Sequence, residues 1–178
     1  GEIMWALVKA NQVIKIFNSP QAFEHNDIKH PANIFSSWSA EEKSAIGLYP
    51  IQEDRSNVKD EKFYKNREGG YTFDATNKVV KKVWKTSEDL EMEDKTTDGV
   101  TVQGLKSLKV NEVNQQAYDI LKDTDWMVIK ASEVSDYSLP DNVAKFRTAV
   151  RTKSNDMVTR IKATKDVRVL ETLYTYTN

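Results

Sequence analysis

The chain has 178 residues, 39% apolar and 30% charged, which is enough for one ordinary domain or two small ones and favours small cores over one thick globule. Its 26 basic residues balance 27 acidic ones, so the chain as a whole has no bias toward polyanions or membranes. It has no cysteine, which excludes disulfides, thiolate metal sites and cysteine nucleophiles.

Met4 reads as the natural start, with Gly1, Glu2 and Ile3 a cloning remnant. The apolar run Ile3 to Val8 falls far short of the ~20 residues that span a bilayer. It has neither a charged leader nor a small-residue cleavage site, so no signal peptide is expected. Met4 to Val8 and Val13 to Phe17, around Lys9-Ala10-Asn11-Gln12, predict a β-hairpin. Pro20 opens a loop, and Pro31 ends a short loop segment carrying His25 and His30. Ser39-Ala40-Glu41-Glu42 is a capping box that starts a helix of about two turns, with Gly47 placed for a left-handed C-cap.

After Pro50 the pattern is β again. Phe63-Tyr64 and Tyr71-Thr72-Phe73 flank Glu68-Gly69-Gly70, which reads as a turn, and Asp74-Ala75-Thr76-Asn77 reads as a second turn before a strand from Val79 to Trp84. Residues 87–98 are acidic and polar, from Glu88 to Asp98, and Gly99 closes the run; this reads as a linker or long exposed loop.

Beyond it the period becomes helical. Leu105, Leu108, Val113, Ala117, Ile120 and Leu121 are placed on one face. Thr124-Asp125-Trp126 breaks that helix, and Met127 to Ile129 reads as a short extended piece. Pro140 precedes a second helix, capped near Asp141 or Asn142, with Val143, Phe146, Val150, Met157 and Ile161 as its apolar stripe. Asp166 caps a last helix holding Val167, Leu170 and Leu173.

Catalytic and cofactor motifs are sparse. His25 and His30 are the only histidines, and a metal site would need Glu24 or Asp27 as a further ligand; two loop histidines need no such role. Gly69-Gly70 lacks the Lys-Ser/Thr and the helix of a phosphate loop. The carboxylates of 88–94 lie in a hydrophilic stretch where they stay solvated, whereas acid catalysis needs a buried one. Neither metal nor cofactor is expected, and the chain reads as non-enzymatic. From Asp141 onward, Lys145, Arg147, Arg151, Lys153, Arg160, Lys162, Lys165 and Arg168 outnumber the acids. Nucleic acid could exploit such a helix, but an amphipathic helix with a solvated basic side accounts for it without that partner. Arg147 and Arg151, one turn apart, also suit two-point binding of carboxylates on a protein partner.

Ile120-Leu121, Thr124-Asp125-Trp126, Pro140 and Phe146-Arg147-Thr148-Ala149-Val150-Arg151 together resemble a pattern in bacteriophage tail-assembly chaperones: a leucine-rich helix, T-D-W, a variable stretch, then Y/W-R-x-x-L-R. This chain has Phe146 for the usual tyrosine, Val150 for leucine, and a longer stretch before the arginines. A looser likeness to phage protein openings runs through Pro31, Asn33, Trp38-Ser39, Glu42 and Ile46-Gly47. The resemblance implies a non-catalytic tail-related role, as an assembly chaperone for tail or fibre or as a minor tail or baseplate component, with self-association left open. The host cytoplasm during assembly, or the virion tail, would be its location. A physical reading of the same residues has Trp126 buried as the anchor of a turn between antiparallel helices, Thr124 and Asp125 capping local amides, and Arg147 and Arg151 emerging beside it. Trp126, Phe146, Arg147 and Arg151 are thus the expected partner-binding residues. Reversing both arginines to glutamate is expected to abolish capture and leave the circular dichroism spectrum unchanged.

The expected fold is α+β: a β-rich meander with one short helix over 1–86, the acidic segment 87–98, and a helical hairpin plus terminal helix over 99–178.

Overall fold

The computed structural model describes residues 4–175, so Gly1, Glu2 and Ile3 lie outside the described residues. The fold is α+β, and the chain divides into two compact units, residues 1–88 and 89–178.

The first unit opens with the expected hairpin, β1 (Trp5–Lys9) and β2 (Gln12–Phe17). Ala10 (φ 50°) and Asn11 (φ 61°) form its two-residue turn, the left-handed geometry that matches strand twist. The histidine segment is not a loop but a second hairpin, β3 (Phe23–His25) and β4 (Ile28–His30), turned by Asn26 (φ 51°) and Asp27 (φ 60°), two residue types that tolerate that region. His30 is buried against Phe23, ring centroids 5.1 Å apart, and edge-on to Trp38 at 5.8 Å. Two short helices follow where one was expected: α1 (Ile34–Ser37), too short to carry a period, and α2 (Ala40–Ala45). The α2 capping box forms in full, Glu42 N–H donating to Ser39 Oγ at 3.2 Å and Ser39 N–H to Glu42 Oε2 at 2.7 Å. Gly47 has φ 83° as expected, and its carbonyl accepts from Val8 N–H at 2.7 Å.

β5 (Leu48–Asp54), β6 (Tyr64–Lys65), β7 (Glu68–Asp74) and β8 (Val79–Trp84) complete the unit. The main sheet runs β2-β1-β5-β8-β7 and is not the expected meander: β5 returns beside β1 rather than β2, and it lies parallel to β8 on its other side. Glu68-Gly69-Gly70 is not a turn. It begins β7, where the register slips between Glu68 and Gly70, and the glycines admit this bulge because Gly70 sits at φ 88° and Gly69 lies against the Trp84–Lys85 backbone. The turn is Asp74–Asn77, as expected; the Asp74 carboxylate accepts from Asn77 N–H at 3.1 Å and from its side-chain amide at 2.8 Å.

Alternation along the strands sends side chains to both faces. One face packs Leu7, Phe17, Phe23, Ile34, Phe35 and Leu48; the other packs Ala6, Val8 and Val80 with Val13, Ile16, Tyr49, Ile51, Tyr71 and Phe73.

At the boundary lies β9 (Glu88–Asp89). The acidic segment 87–98 is therefore not wholly linker, and its end forms a hairpin, β10 (Lys95–Thr97) with β11 (Val100–Val102), turned by Asp98 (φ 51°) and Gly99 (φ 78°). The second unit continues with α3 (Leu105–Leu121), α4 (Asp125–Glu133), α5 (Asp141–Ala163) and α6 (Val167–Thr172). The backbone of 91–92 satisfies two orphan amides at the start of α3: Leu105 N–H reaches Glu91 O at 2.8 Å and Lys106 N–H reaches Met92 O at 3.1 Å. Asp166 caps α6 as expected, accepting from Val169 N–H at 2.8 Å.

Two helical faces differ from the sequence reading. On α3 the buried row is Leu105, Lys109 and Val113, and Leu108 and Ile120 are exposed. Lys109 is accommodated because its ammonium donates to Glu112 at 3.0 and 3.1 Å while its stem stays covered. Met127–Ile129 is helical, not extended, within α4. Pro140, not Asp141 or Asn142, is the N-cap of α5. No helix among the described residues is long and apolar enough to cross a membrane.

Candidate functional site

The inner face of α5, which packs on α3, is formed by Val143, Arg147, Val150, Ser154, Met157 and Ile161, a row spaced four and three residues apart. The expected stripe had Phe146 where this row has Arg147. One residue turns the helix by about 100°, so Phe146 faces out at 50% exposure while Arg147 is covered to 5%.

A buried guanidinium needs partners for its five N–H groups. It finds them where α3 stops. Nη1 donates to Leu121 O at 2.7 Å and to Thr124 Oγ1 at 2.6 Å, and Nη2 donates to Asp125 Oδ1 at 2.7 Å. The Thr124 hydroxyl in turn donates to Leu121 O at 3.1 Å. Leu121 O is one of the carbonyls that a helix C-terminus leaves unsatisfied, and a cation there is favoured by the helix dipole. Asp125 is the first residue of α4, where the dipole favours an anion. A single arginine on α5 thus ends α3, holds the 3-10 turn Lys122–Thr124, and fixes the start of α4.

This clamp changes the expected roles. Thr124 and Asp125 bind the Arg147 side chain rather than capping local amides. Arg147 spends its donors inside the chain instead of offering them to a partner. Charge reversal there would set a glutamate against Asp125, so the double reversal is expected to destabilise the helical unit as well as to change its surface charge. Trp126 is not buried: it sits in the first turn of α4 at 53% exposure, and no residue of α4 is buried. Arg151, one turn beyond Arg147, is exposed. Because Asp125 and Arg147 touch, their neighbours Trp126 and Phe146 share one end of the α3–α5 pair. Tyr118, Ile120 and Ile129 are further exposed apolar residues of α3 and α4.

An apolar groove of about 340 Å³ lies between α3, α5 and the end of α6, lined chiefly by Val113, Ala117, Ile120, Val150, Met157 and Leu173. Lys153 and Tyr174 are its ionisable lining groups, and burial raises the Tyr174 phenol above its ordinary value. Among the described residues, no group of three or more His, Asp or Glu is placed to hold a metal ion. His25 lies beside Lys9, and partial desolvation with that positive charge lowers its pKa. Of the other basic C-terminal residues, Arg160 pairs with Asp156 at 2.9 Å, and Lys145, Lys153, Lys162, Lys165 and Arg168 are exposed.

The sequence carried only part of the signal for the clamp. Phe146 and Arg147 flank the row Val143, Val150, Met157 and Ile161 about equally, so helical phase alone does not say which of them is inside. Compared with known proteins, the chain matches no family model, no curated protein and no solved structure.

Proposed function

We propose that this chain is a non-enzymatic accessory protein of a bacteriophage tail, either a tail or fibre assembly chaperone or a minor tail or baseplate component. It acts by protein–protein binding in the host cytoplasm during assembly, or in the virion tail. Its partner is a tail, fibre or baseplate protein. The contact surface is Trp126 and Phe146, with the exposed Arg151 further along α5, and Arg147 is the residue that positions it.

The observation that carries this reading is a division of labour within the motif. Thr124, Asp125 and Arg147 are bound to each other, whereas the two aromatic residues adjoining them are left half exposed. Exposed aromatic side chains on a fixed backbone are among those that dominate protein interfaces, because they bury much area and lose little entropy. The T-D-W and F-R-x-x-V-R resemblance supports the tail context.

The test is capture of tail components from phage-infected cells by the tagged chain, read by mass spectrometry together with the composition of finished virions. A tail, fibre or baseplate protein is expected to copurify. The double substitution Trp126→Ala and Phe146→Ala is expected to lose it with an unchanged melting temperature, since both side chains are exposed. Retained capture by that variant would refute the surface, and no tail protein captured by the parent chain would refute the role.

A further inference from the structure

The hairpin β10–β11 forms a sheet of two strands alone, and all six of its strand residues are exposed. Lys95 pairs with Val102, Thr96 with Thr101 and Thr97 with Val100. Residues two apart on a strand share a face, so Val100 and Val102 stand side by side at 66% and 67% exposure, with their cross-strand partners Thr97 and Lys95 on the same face. Thr96 and Thr101 meet on the other face, their hydroxyls 2.8 Å apart. A lone two-stranded ribbon is marginal in water, and an apolar face on it is left without cover.

The two edges of this ribbon differ. In a hairpin with a two-residue turn, the residues flanking the turn, Thr97 and Val100, exchange hydrogen bonds, so Thr96 and Thr101 direct their N–H and C=O outward. The β10 edge carries Lys95, with Glu93 and Asp94 before it and Asp98 after it, the charged guard that keeps edges apart. The β11 edge, Gly99-Val100-Thr101-Val102-Gln103, carries no charge and is β-branched through its centre. Among the described residues, Thr101 takes part in no backbone hydrogen bond outside the hairpin.

We propose that β11 is a strand-addition edge for a second copy of this chain, pairing antiparallel about a two-fold axis at Thr101. The register is self-complementary. Thr101 exchanges both backbone bonds with Thr101 of the other copy, and Val100 lies opposite its Val102 and Val102 opposite its Val100. Four valines then cover each other on one face of a four-stranded sheet, β10-β11-β11-β10. Both outer edges of that sheet are the lysine-bearing β10, so addition stops at two copies and does not continue as a fibre. The surface is distinct from the Trp126–Phe146 surface and does not depend on the tail reading.

The experiment is sedimentation velocity on the full chain across a concentration series, with engineered cysteines in a background that has none. The parent chain of 20.4 kDa is expected to pass from monomer to dimer with concentration. Val100→Lys, whose partner within the hairpin is the uncharged Thr97, sets a charge against Val102 of the other copy and is expected to weaken the dimer at least about tenfold, with the circular dichroism spectrum unchanged. Trp126→Ala with Phe146→Ala is expected to leave the dimer intact. Hydrogen-bonded antiparallel partners have Cα atoms about 5.5 Å apart, within disulfide reach. Thr101→Cys is therefore expected to oxidise to a covalent dimer, and Thr96→Cys on the guarded edge is not. A monomer at every concentration up to about 1 mM, a cross-link from Thr96→Cys in preference to Thr101→Cys, growth beyond the dimer, or a dimer insensitive to Val100→Lys would each overturn the proposal.

Discussion

Removing the Arg147 fork while keeping its covered stem isolates the clamp, and Arg147→Met does this. The substitution deletes three hydrogen bonds of 2.6 to 2.7 Å, of which the one to Asp125 is also an ion pair. Leu121 O keeps the Thr124 hydroxyl at 3.1 Å, and the Asp125 side chain, 46% exposed, can rehydrate. The loss is therefore smaller than the ~3–5 kcal/mol of breaking a fully buried pair. Charge-assisted hydrogen bonds of which one acceptor is left partly unpaired set it at about 2–3 kcal/mol. For a unit of this size a loss of 1 kcal/mol lowers the melting temperature by roughly 4–8 °C, so a fall of about 10–20 °C is expected in the transition of the helical unit. Differential scanning calorimetry reads it. A double-mutant cycle with Thr124→Val should give a coupling of about 1 kcal/mol, because both substitutions remove the same 2.6 Å bond. Arg147→Lys should restore only part of the loss, since one ammonium cannot reach a helix-end carbonyl, a hydroxyl and a carboxylate at once. Melting of Arg147→Met within about 1 °C of the parent, or strictly additive effects in the cycle, would refute the assignment of this arginine to the end of α3.

Other expectations concern backbone geometry and pH. Gly47→Ala forces a side chain into φ 83° with its Cβ 2.4 Å from Val8 O, so a loss of about 1–3 kcal/mol in the first unit is expected by chemical denaturation, with unchanged stability counting against it. Gly104→Ala brings a Cβ within 2.4 Å of the Glu93 backbone at the start of α3 and should likewise lower stability, read as faster amide exchange at Leu105 and Lys106. Glu53 accepts the Trp84 indole N–H at 3.0 Å, and this bond first, then the nearby Arg55 and Lys82, holds its carboxyl below the ordinary value. A lowered folded value means that its contribution is present above the ordinary carboxylate pKa of about 4.3 and is lost as pH falls through the folded value. The Trp84 indole N–H resonance should therefore shift with a midpoint below about 4.3, and Glu53→Gln should abolish that shift.

Local chemistry was legible wherever it was self-contained. Ser39 and Glu42 close a box between residues three apart, Asp166 caps the next turn, Ala10-Asn11 suits a left-handed turn, and Asp74 closes on Asn77; none of these needs a distant partner. The division between a β-rich part and a helical part followed from the change of hydrophobic period, which is equally local. What depended on distant chain was misplaced. Gly69-Gly70 has the composition of a turn, but the neighbouring β8 continued the ladder past it and made it a bulge. Met127–Ile129 is too short to show a period, and it is helical because the chain around Asp125 is held by an arginine 22 residues away. Phe146 is the more hydrophobic of two adjacent residues and was assigned inward on that ground. Tertiary structure chose Arg147, because the end of α3 presented a carbonyl, a hydroxyl and a carboxylate that only a guanidinium could satisfy together. Sequence thus determined the elements and their caps, whose energies lie within a few residues. Only the packed chain decided which face of α5 is inside, because that choice turns on acceptors supplied by another helix.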